Sequence, residues 1–312
     1  MTTSLRRGAG LFLSLTLLVW IADSVAAQVF RARVDLVQVT ASVRDAEGRL
    51  VGDLTLEDFE VFEDATLQTV TQFERGRVPV SLGVLLDVSE SMYGQRMSDA
   101  AFALDRFLVN LLRPSDEAFL VVFNHDPTLA EPWTQGPARL GGQLSDVRPY
   151  GATAIYDAMA LALPMFNTRS HQRAAIVLIS DGSDTASDAE IADVRRQVRT
   201  SDAFVYAVAI DAPKTRPLND QVNPHALREI TDESGGYTEV IHDSPDLVPA
   251  TERIAEELNH QYTLGYSPQH PPDNRYHTIR VRVKKPGEYV VRARRGYVAS
   301  PDRWRPEPEP ER

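Results

Sequence analysis

Val80-Ser81-Leu82-Gly83-Val84-Leu85-Leu86-Asp87-Val88-Ser89-Glu90-Ser91 decides the fold of this chain. The run up to Leu86 is apolar, rich in branched residues and of strand length, and it ends in a polar loop. Such a run reads as a parallel strand buried on both faces, with its C-terminal end delivering the residues that follow. In open α/β sheets that end is where ligands bind. Here it presents one carboxylate and two hydroxyls at alternate positions, Asp87, Ser89 and Ser91, an all-oxygen cluster suited to a hard divalent cation.

Two later segments have the chemistry to complete the cluster. Gly151-Ala152-Thr153-Ala154 is a small-residue loop leading into an apolar helical pattern, and Ile176-Val177-Leu178-Ile179-Ser180-Asp181-Gly182 is another buried strand with a carboxylate at its end. If the two strands lie parallel, Asp87 and Asp181 project from one edge of the sheet, with Thr153 on a loop between. Each piece alone has an ordinary structural reading: a cap or turn for Asp87-x-Ser89-x-Ser91, a strand-end turn for Asp181-Gly182, and an N-cap for Thr153. Their occurrence in order, two of them on buried strand ends, favours the metal site.

Together D-x-S-x-S, G-x-T and a strand-end D-G resemble the von Willebrand factor A domain and its metal-ion-dependent adhesion site, over roughly residues 78–260. The resemblance implies that Ser89, Ser91 and Thr153 supply hydroxyl ligands and that Asp87 and Asp181 hold the ion directly or through water. It further implies Mg²⁺, with Mn²⁺ or Ca²⁺ as alternatives, and capture of an Asp or Glu from a partner protein at the remaining position. The physics agrees: Mg²⁺ takes about six oxygens and keeps water unless a charged group displaces it. Two carboxylates leave such an ion under-neutralised. Glu90 and Asp184 are nearby acids and read as rim residues facing a partner.

Outward from the site, the pattern alternates. Leu104, Phe107, Leu108, Leu111 and Leu112 recur at helical spacing, and Phe119–Phe123 and Phe204–Ile210 are further apolar strands. Ala158–Met165 reads as helix with Pro164 near its end. Ser187-Asp188-Ala189-Glu190 reads as a capping box opening a helix to about Thr200. Leu247, Thr251, Ile254, Leu258 and Tyr262 line one face of a last helix. This rhythm indicates a doubly wound, mostly parallel, Rossmann-like sheet covered on both faces.

The flanks differ. Val37, Val39, Ala41 and Val43 alternate with polar residues, Asp45-Ala46-Glu47-Gly48 makes a turn, and Phe59–Phe62 and Leu67–Phe73 add strand pattern. Tyr262–Tyr266, Thr278–Val283 and Tyr289–Ala293 do the same at the other end. Neither flank is long enough to bury a core alone, so both are expected to join in one antiparallel β module. The expected organisation is therefore a signal peptide over 1–27, an N-terminal β segment over 28–76, the α/β domain over 77–261, a C-terminal β segment over 262–299 and a Pro/Glu-rich tail over 300–312. Val43-x-Asp45 with Gly48, Leu54-Thr55-x-Glu57-Asp58-Phe59-x-Val61, Tyr262-x-Leu264-Gly265-Tyr266 and Arg295-Gly296-Tyr297 resemble a bacterial group of secreted proteins related to von Willebrand factor A. The chain departs from that group at Ala65, where glycine is usual after Glu63-Asp64 and where alanine resists a positive-φ turn.

Composition narrows function. The formal net charge of the 312-residue chain is −11, and no Lys/Arg cluster interleaved with aromatics appears, which argues against nucleic acid. Arg6-Arg7, the apolar stretch Leu11–Ala22 and the small residues Val25-Ala26-Ala27 read as an export signal, placing the protein in the periplasm or outside the cell. The alternative, an uncleaved anchor, falls short of the roughly 20 apolar residues of a span. With no cysteine, neither disulfides nor a lipoprotein anchor is available. Catalysis finds little support: Ser89 stands where a haloacid-dehalogenase-type phosphotransferase carries its second Asp, no G-x-S-x-G elbow occurs, and the seven histidines lack H-E-x-x-H spacing. The expectation is a non-enzymatic, metal-dependent protein-binding module. The rival is a structural or assembly component of an envelope complex in which the metal only stiffens loops.

Overall fold

The computed structural model describes residues 36–136, 147–210 and 223–300; the expected signal peptide and the tail from Pro301 onward lie outside them. The chain first lays down β1 (Val37–Asp45), β2 (Phe59–Glu63), β3 (Thr66–Gln68) and β4 (Val70–Arg75). It then alternates: β5 (Val80–Asp87), α1 (Gln95–Leu111), β6 (Glu117–Phe123), β7 (Thr128–Gln135), α2 (Ile155–Ala162), β8 (Arg173–Ser180), α3 (Ile191–Thr200), β9 (Phe204–Ile210), α4 (Pro224–Ser234), β10 (Thr238–Ile241) and α5 (Leu247–Asn259). It closes with β11 (Tyr262–Tyr266), β12 (Tyr276–Val283), β13 (Tyr289–Ala293) and β14 (Gly296–Val298).

The central sheet has the order β10-β9-β8-β5-β6-β7, parallel except for β7 at one edge. Every residue of β5, β8 and β9 is buried, as strands covered on both faces require. Successive residues face opposite sides, so Leu82, Val84 and Leu86 pack with Leu104, Phe107 and Ile254 of α1 and α5. Leu85, Ile176 and Leu178 pack with Met159, Val194 and Leu227 of α2, α3 and α4. Gly83 is needed for this second layer, because a Cβ there would sit 2.5 Å from the Phe119 ring. From β5 the chain moves to β6 on one side and later returns to β8 on the other. The strand order therefore reverses between β5 and β8, at the ends that carry Asp87 and Asp181.

Both flanks build two antiparallel sheets, β13-β1-β11-β4 and β14-β12-β2-β3, as expected of an antiparallel β module made from the two ends of the chain. Val39 pairs with Leu264 and Val61 with Val281, and these residues share one core with Phe59 and Tyr262. The run read as one strand over Leu67–Phe73 divides at Thr69: β3 joins one sheet and β4 the other. The module is tied to the α/β unit by Glu257 of α5, which is fully buried. Its carboxylate accepts hydrogen bonds from Ser42 Oγ (3.0 Å), Arg44 Nη2 (2.8 Å) and Tyr206 Oη (3.3 Å).

Several local expectations are corrected. The helix expected from Ser187 begins at Ile191, and no capping box forms. Ser187 Oγ instead donates to Asp184 and accepts from the Asp157 amide, while the Asp157 carboxylate accepts from the amides of Asp188 and Ala189. Tyr262 lies in β11, beyond the end of α5, and its hydroxyl joins Val51 O to Leu54 N. Helix α2 stops at Ala162 and passes into a 3-10 turn with Pro164 in its first positions. Neither α4 nor β7 was expected.

Between β2 and β3, Asp64 and Ala65 take φ of 45° and 67°, the positive values of a type I′ turn. Alanine does adopt this conformation, held there by the Asp64 carboxylate, which accepts from Thr278 N (2.8 Å) and Thr278 Oγ1 (2.9 Å). The left-handed region costs a non-glycine residue about 1 kcal/mol. Set against a glycine entropy cost of about 0.4–1 kcal/mol, Ala65→Gly is therefore expected to stabilise the module by no more than about 0.5 kcal/mol, read as a slightly higher urea midpoint at unchanged m-value.

Candidate functional site

Strands β5 and β8 pair in register from Val80↔Arg173 to Leu86↔Ile179. Asp87 therefore stands beside Ser180, with Asp181 one residue beyond. Asp87 is fully buried: Oδ1 accepts from Ser89 N (2.8 Å) and Oδ2 from Ser180 Oγ (2.5 Å). The first of these folds the loop back on itself as an Asx turn, so that Ser89 and Ser91 come together, their hydroxyls 2.9 Å apart. Ser91 Oγ donates to Asp181 Oδ1. Buried Met92 fixes the short turn that follows.

The loop carrying Thr153 is pinned to both sides of this cluster. Its backbone exchanges Tyr150 N→Val88 O (3.0 Å), Glu90 N→Gly151 O (3.0 Å) and Ala154 N→Asn124 O (2.7 Å). Thr153 O accepts from Thr185 N (2.8 Å) in the loop after Asp181. The Thr153 hydroxyl faces Gly182, where an added Cβ would lie 3.2 Å from Oγ1. Glycine there keeps the hydroxyl's approach open.

The structure thus brings Asp87, Ser89, Ser91 and Asp181 together through direct contacts and seats Thr153 against the residue after Asp181. The donors are all oxygen, of the hard type that Mg²⁺, Mn²⁺ or Ca²⁺ takes. The electrostatics suit a cation as well. Burial, reinforced by the Asp181 charge, pushes the Asp87 carboxyl up to about 6, against the lowering effect of the Ser180 and Ser89 hydrogen bonds. On the donor types and the open approach at Gly182, the residues present fit a divalent ion.

The two rim acids have different placements. Glu90 is exposed at the start of the short turn. The Asp184 carboxylate is half-buried, and its Oδ1 is engaged by Tyr156 N (3.1 Å) in the first turn of α2 and by Ser187 Oγ (2.5 Å), so it also anchors a helix start.

Two contributors escaped the sequence reading. Ser180 hydrogen-bonds Asp87, a consequence of strand register that becomes visible only once β5 and β8 are paired. Arg96, in the first turn of α1, ion-pairs with Asp181 and reaches Ser91 O. Nothing in the local pattern distinguishes Arg96 from an ordinary solvated helix residue.

Comparison with known proteins agrees with this architecture. Residues 82–183 match the family model described as von Willebrand factor type A domain. The chain is 22% identical over 206 residues to mouse inter-alpha-trypsin inhibitor heavy chain H2, covering 61% of this chain and 21% of that protein. It is 25% identical over 134 residues to the pig protein of the same name, covering 39% and 14%. The match thus spans about a fifth of the mouse protein and less of the pig one. Among solved structures, the von Willebrand factor type A protein from Catenulispora acidiphila is similar over 86% of this chain and 74% of its own, with a TM-score of 0.51 at 13% identity, a likeness of fold. Domains of this family generally mediate protein–protein interaction and adhesion, are mostly non-enzymatic, and commonly bind a divalent metal. Residues 82–183 thus match the von Willebrand factor type A domain family, and the parallel-sheet unit that contains them is similar in fold to such a domain.

Proposed function

We propose that the protein is an exported, metal-dependent protein-binding module. Asp87, Ser89, Ser91, Thr153 and Asp181 hold a divalent cation, Mg²⁺ in the first instance, and a coordination position left to solvent takes an Asp or Glu side chain of a partner protein. The observation that carries this reading is the convergence of Asp87 and Asp181, both buried, at the point where strand order reverses, with three hydroxyl groups around them. The surroundings support a protein ligand: Tyr93 and Tyr150, on the loops that bear Ser91 and Thr153, are 76% and 59% exposed. Aromatic residues, tyrosine among them, are enriched in protein interfaces relative to the rest of the surface. Export rests on the leader sequence. Among the described residues no helix is long and apolar enough to cross a membrane.

The rival reading, in which the ion only stiffens loops and partners dock elsewhere, has its own support in the backbone bonds that already join the three loops. Asp87→Ala separates the two. Affinity capture from a native envelope fraction, with and without chelator, is expected to recover a partner only with wild-type protein and free Mg²⁺. Recovery by folded Asp87→Ala, or in the presence of chelator, would refute capture through the ion.

A second test needs no partner. A carboxyl raised from 3.8 in the unfolded chain to about 6 in the fold favours its protonated form. Its contribution is greatest below about pH 4 and is lost as pH rises towards 6 and beyond. Without metal, Asp87→Asn is therefore expected to be the more stable protein at pH 7.5, by something of the order of 3 kcal/mol, and about equal to wild type at pH 4. Saturating Mg²⁺ should raise the wild-type melting temperature and leave that of Asp87→Asn unmoved. Equal Mg²⁺ responses in thermal melts would remove Asp87 from the site.

A further inference from the structure

A second group of metal-ligating side chains lies in the β module, far along the chain from the oxygen cluster. Glu63 ends β2, Asp64 is the first residue of the turn after it, His277 lies at the start of β12, and His270 and Asp273 sit on the loop leading into β12. One donor atom each from Glu63, His270 and His277 lies within 4.8 Å of the others.

The hydrogen-bond pattern makes this more than proximity. His277 Nδ1 is 2.7 Å from Asp64 Oδ2, and His270 Nδ1 is 2.9 Å from Pro271 O. Both partners only accept, so each ring carries a proton on Nδ1, and Nε2 holds a lone pair in the neutral ring or a second proton in the imidazolium. Each Nε2 then faces another acceptor: Asp273 Oδ1 at 3.1 Å for His277, and Glu63 Oε1 at 3.2 Å for His270. Each of these nitrogen–carboxylate contacts calls for a positive charge, supplied by a second ring proton or by a cation that takes its place. A carboxylate or carbonyl holding Nδ1–H while Nε2 is free is also the arrangement that orients a metal-bound histidine.

We propose that Glu63, His270 and His277, with Asp273 drawn in from beside His277, form a second cation site, one that takes a borderline transition-metal dication of the Zn²⁺ class. Two imidazoles and two carboxylates are a Zn²⁺ donor set and a poor one for Mg²⁺. Metal–ligand bonds of about 2.0–2.1 Å in a tetrahedron place neighbouring donors about 3.3 Å apart, close to the two separations observed. Glu63 and His277 are buried and form the fixed half of the site, with Tyr297 Oη holding Glu63 Oε1 at 2.6 Å. The His270 ring stacks on His277 with centroids 3.8 Å apart. It is the more exposed ring, and ligation requires it to tilt from the stack so that both lone pairs share a focus.

Protons compete for the same place. His277 is raised above its ordinary value: burial lowers it, but hydrogen bonds to Asp273 and Asp64 outweigh that. The charged groups facing it are Glu63, Asp64, Asp273 and His270, with Arg275 at 4.0 Å from Asp273 and Arg294 over the Tyr297 ring.

The test is calorimetric titration of the full chain with Zn²⁺ in saturating Mg²⁺, beside wild type the variants His270→Ala, Asp273→Asn and Asp87→Ala. The expected result is one equivalent of Zn²⁺ bound by wild type and by Asp87→Ala. Binding should be at least tenfold weaker in His270→Ala and in Asp273→Asn. Both of those side chains lie partly at the surface, so their loss leaves the core intact, as unchanged melting without Zn²⁺ would verify. Co²⁺ bound in place of Zn²⁺ should give visible bands that disappear with His270→Ala. No uptake by wild type, or equal uptake by the His270 and Asp273 variants, overturns the proposal. So does loss of uptake in Asp87→Ala alone.

Discussion

Two carboxylates buried side by side at the switch point of a parallel sheet are the constraint around which the α/β unit is arranged. Like charges in a dry site are costly, and neither Asp87 nor Asp181 has solvent to offset the cost. The chain meets this with donors: Ser180 Oγ and Ser89 N for Asp87, and Ser91 Oγ and the Arg96 guanidinium for Asp181. Hydrogen bonds stabilise the ionised forms only in part, and Asp87 remains raised. A dication would satisfy both carboxylates at once, so on the proposed reading the feature that burdens the fold would also serve binding. Arg96 sets a lower bound on how weakly neutralised Asp181 can be, and any ion must share that carboxylate with the guanidinium or displace it.

The β module enters through a second buried carboxylate. Glu257 on α5 receives Ser42, Arg44 and Tyr206, joining β1, α5 and β9 in one network. Breaking one partner of such a network is expensive because the charge stays buried. Helix α5 also packs against α1, whose first turn bears Arg96. The module is therefore coupled by continuous packing to the helix nearest the oxygen cluster, while its own histidine group sits at the opposite end of β2 and β12 from Phe59 and Val283.

What could be read from the chain was what local pattern encodes. Buried parallel strands are continuous apolar runs, and their polar ends announce the loops, so Asp87, Ser89, Ser91, Thr153 and Asp181 stood out before any pairing was known. The pairing of the two flanks followed from size, since neither could bury a core alone. Other features depend on what lies across space. Ser187 had a capping sequence, but Asp184 three residues earlier engages its hydroxyl, and Asp157 of α2 takes the amides of Asp188 and Ala189. Edge strand β7 carries Pro132 and mixed polarity, and edge positions tolerate both. Thr69 sends adjoining strands to different sheets without any breaker. Helix α4 was legible in principle, with Asn223 as N-cap, Pro224 at its first position and Gly235 at φ 92° after its end.

The histidine group shows why spacing alone misleads. His270, Asp273 and His277 are close in sequence, yet Pro271 and Pro272 forbid the helix on which such offsets would share a face. Their convergence depends instead on β12 pairing with β2, which brings Glu63 opposite Ile279 and sets Asp64 against Thr278. The left-handed turn at Asp64 and Ala65 is part of the same device: it directs one carboxylate oxygen to the Thr278 backbone and the other to His277 Nδ1. An alanine held at positive φ is thus maintained by the bonds of its neighbour, and those bonds also fix the imidazole whose other nitrogen faces Asp273. Strain in the turn and orientation of the ring have one cause, the Asp64 carboxylate.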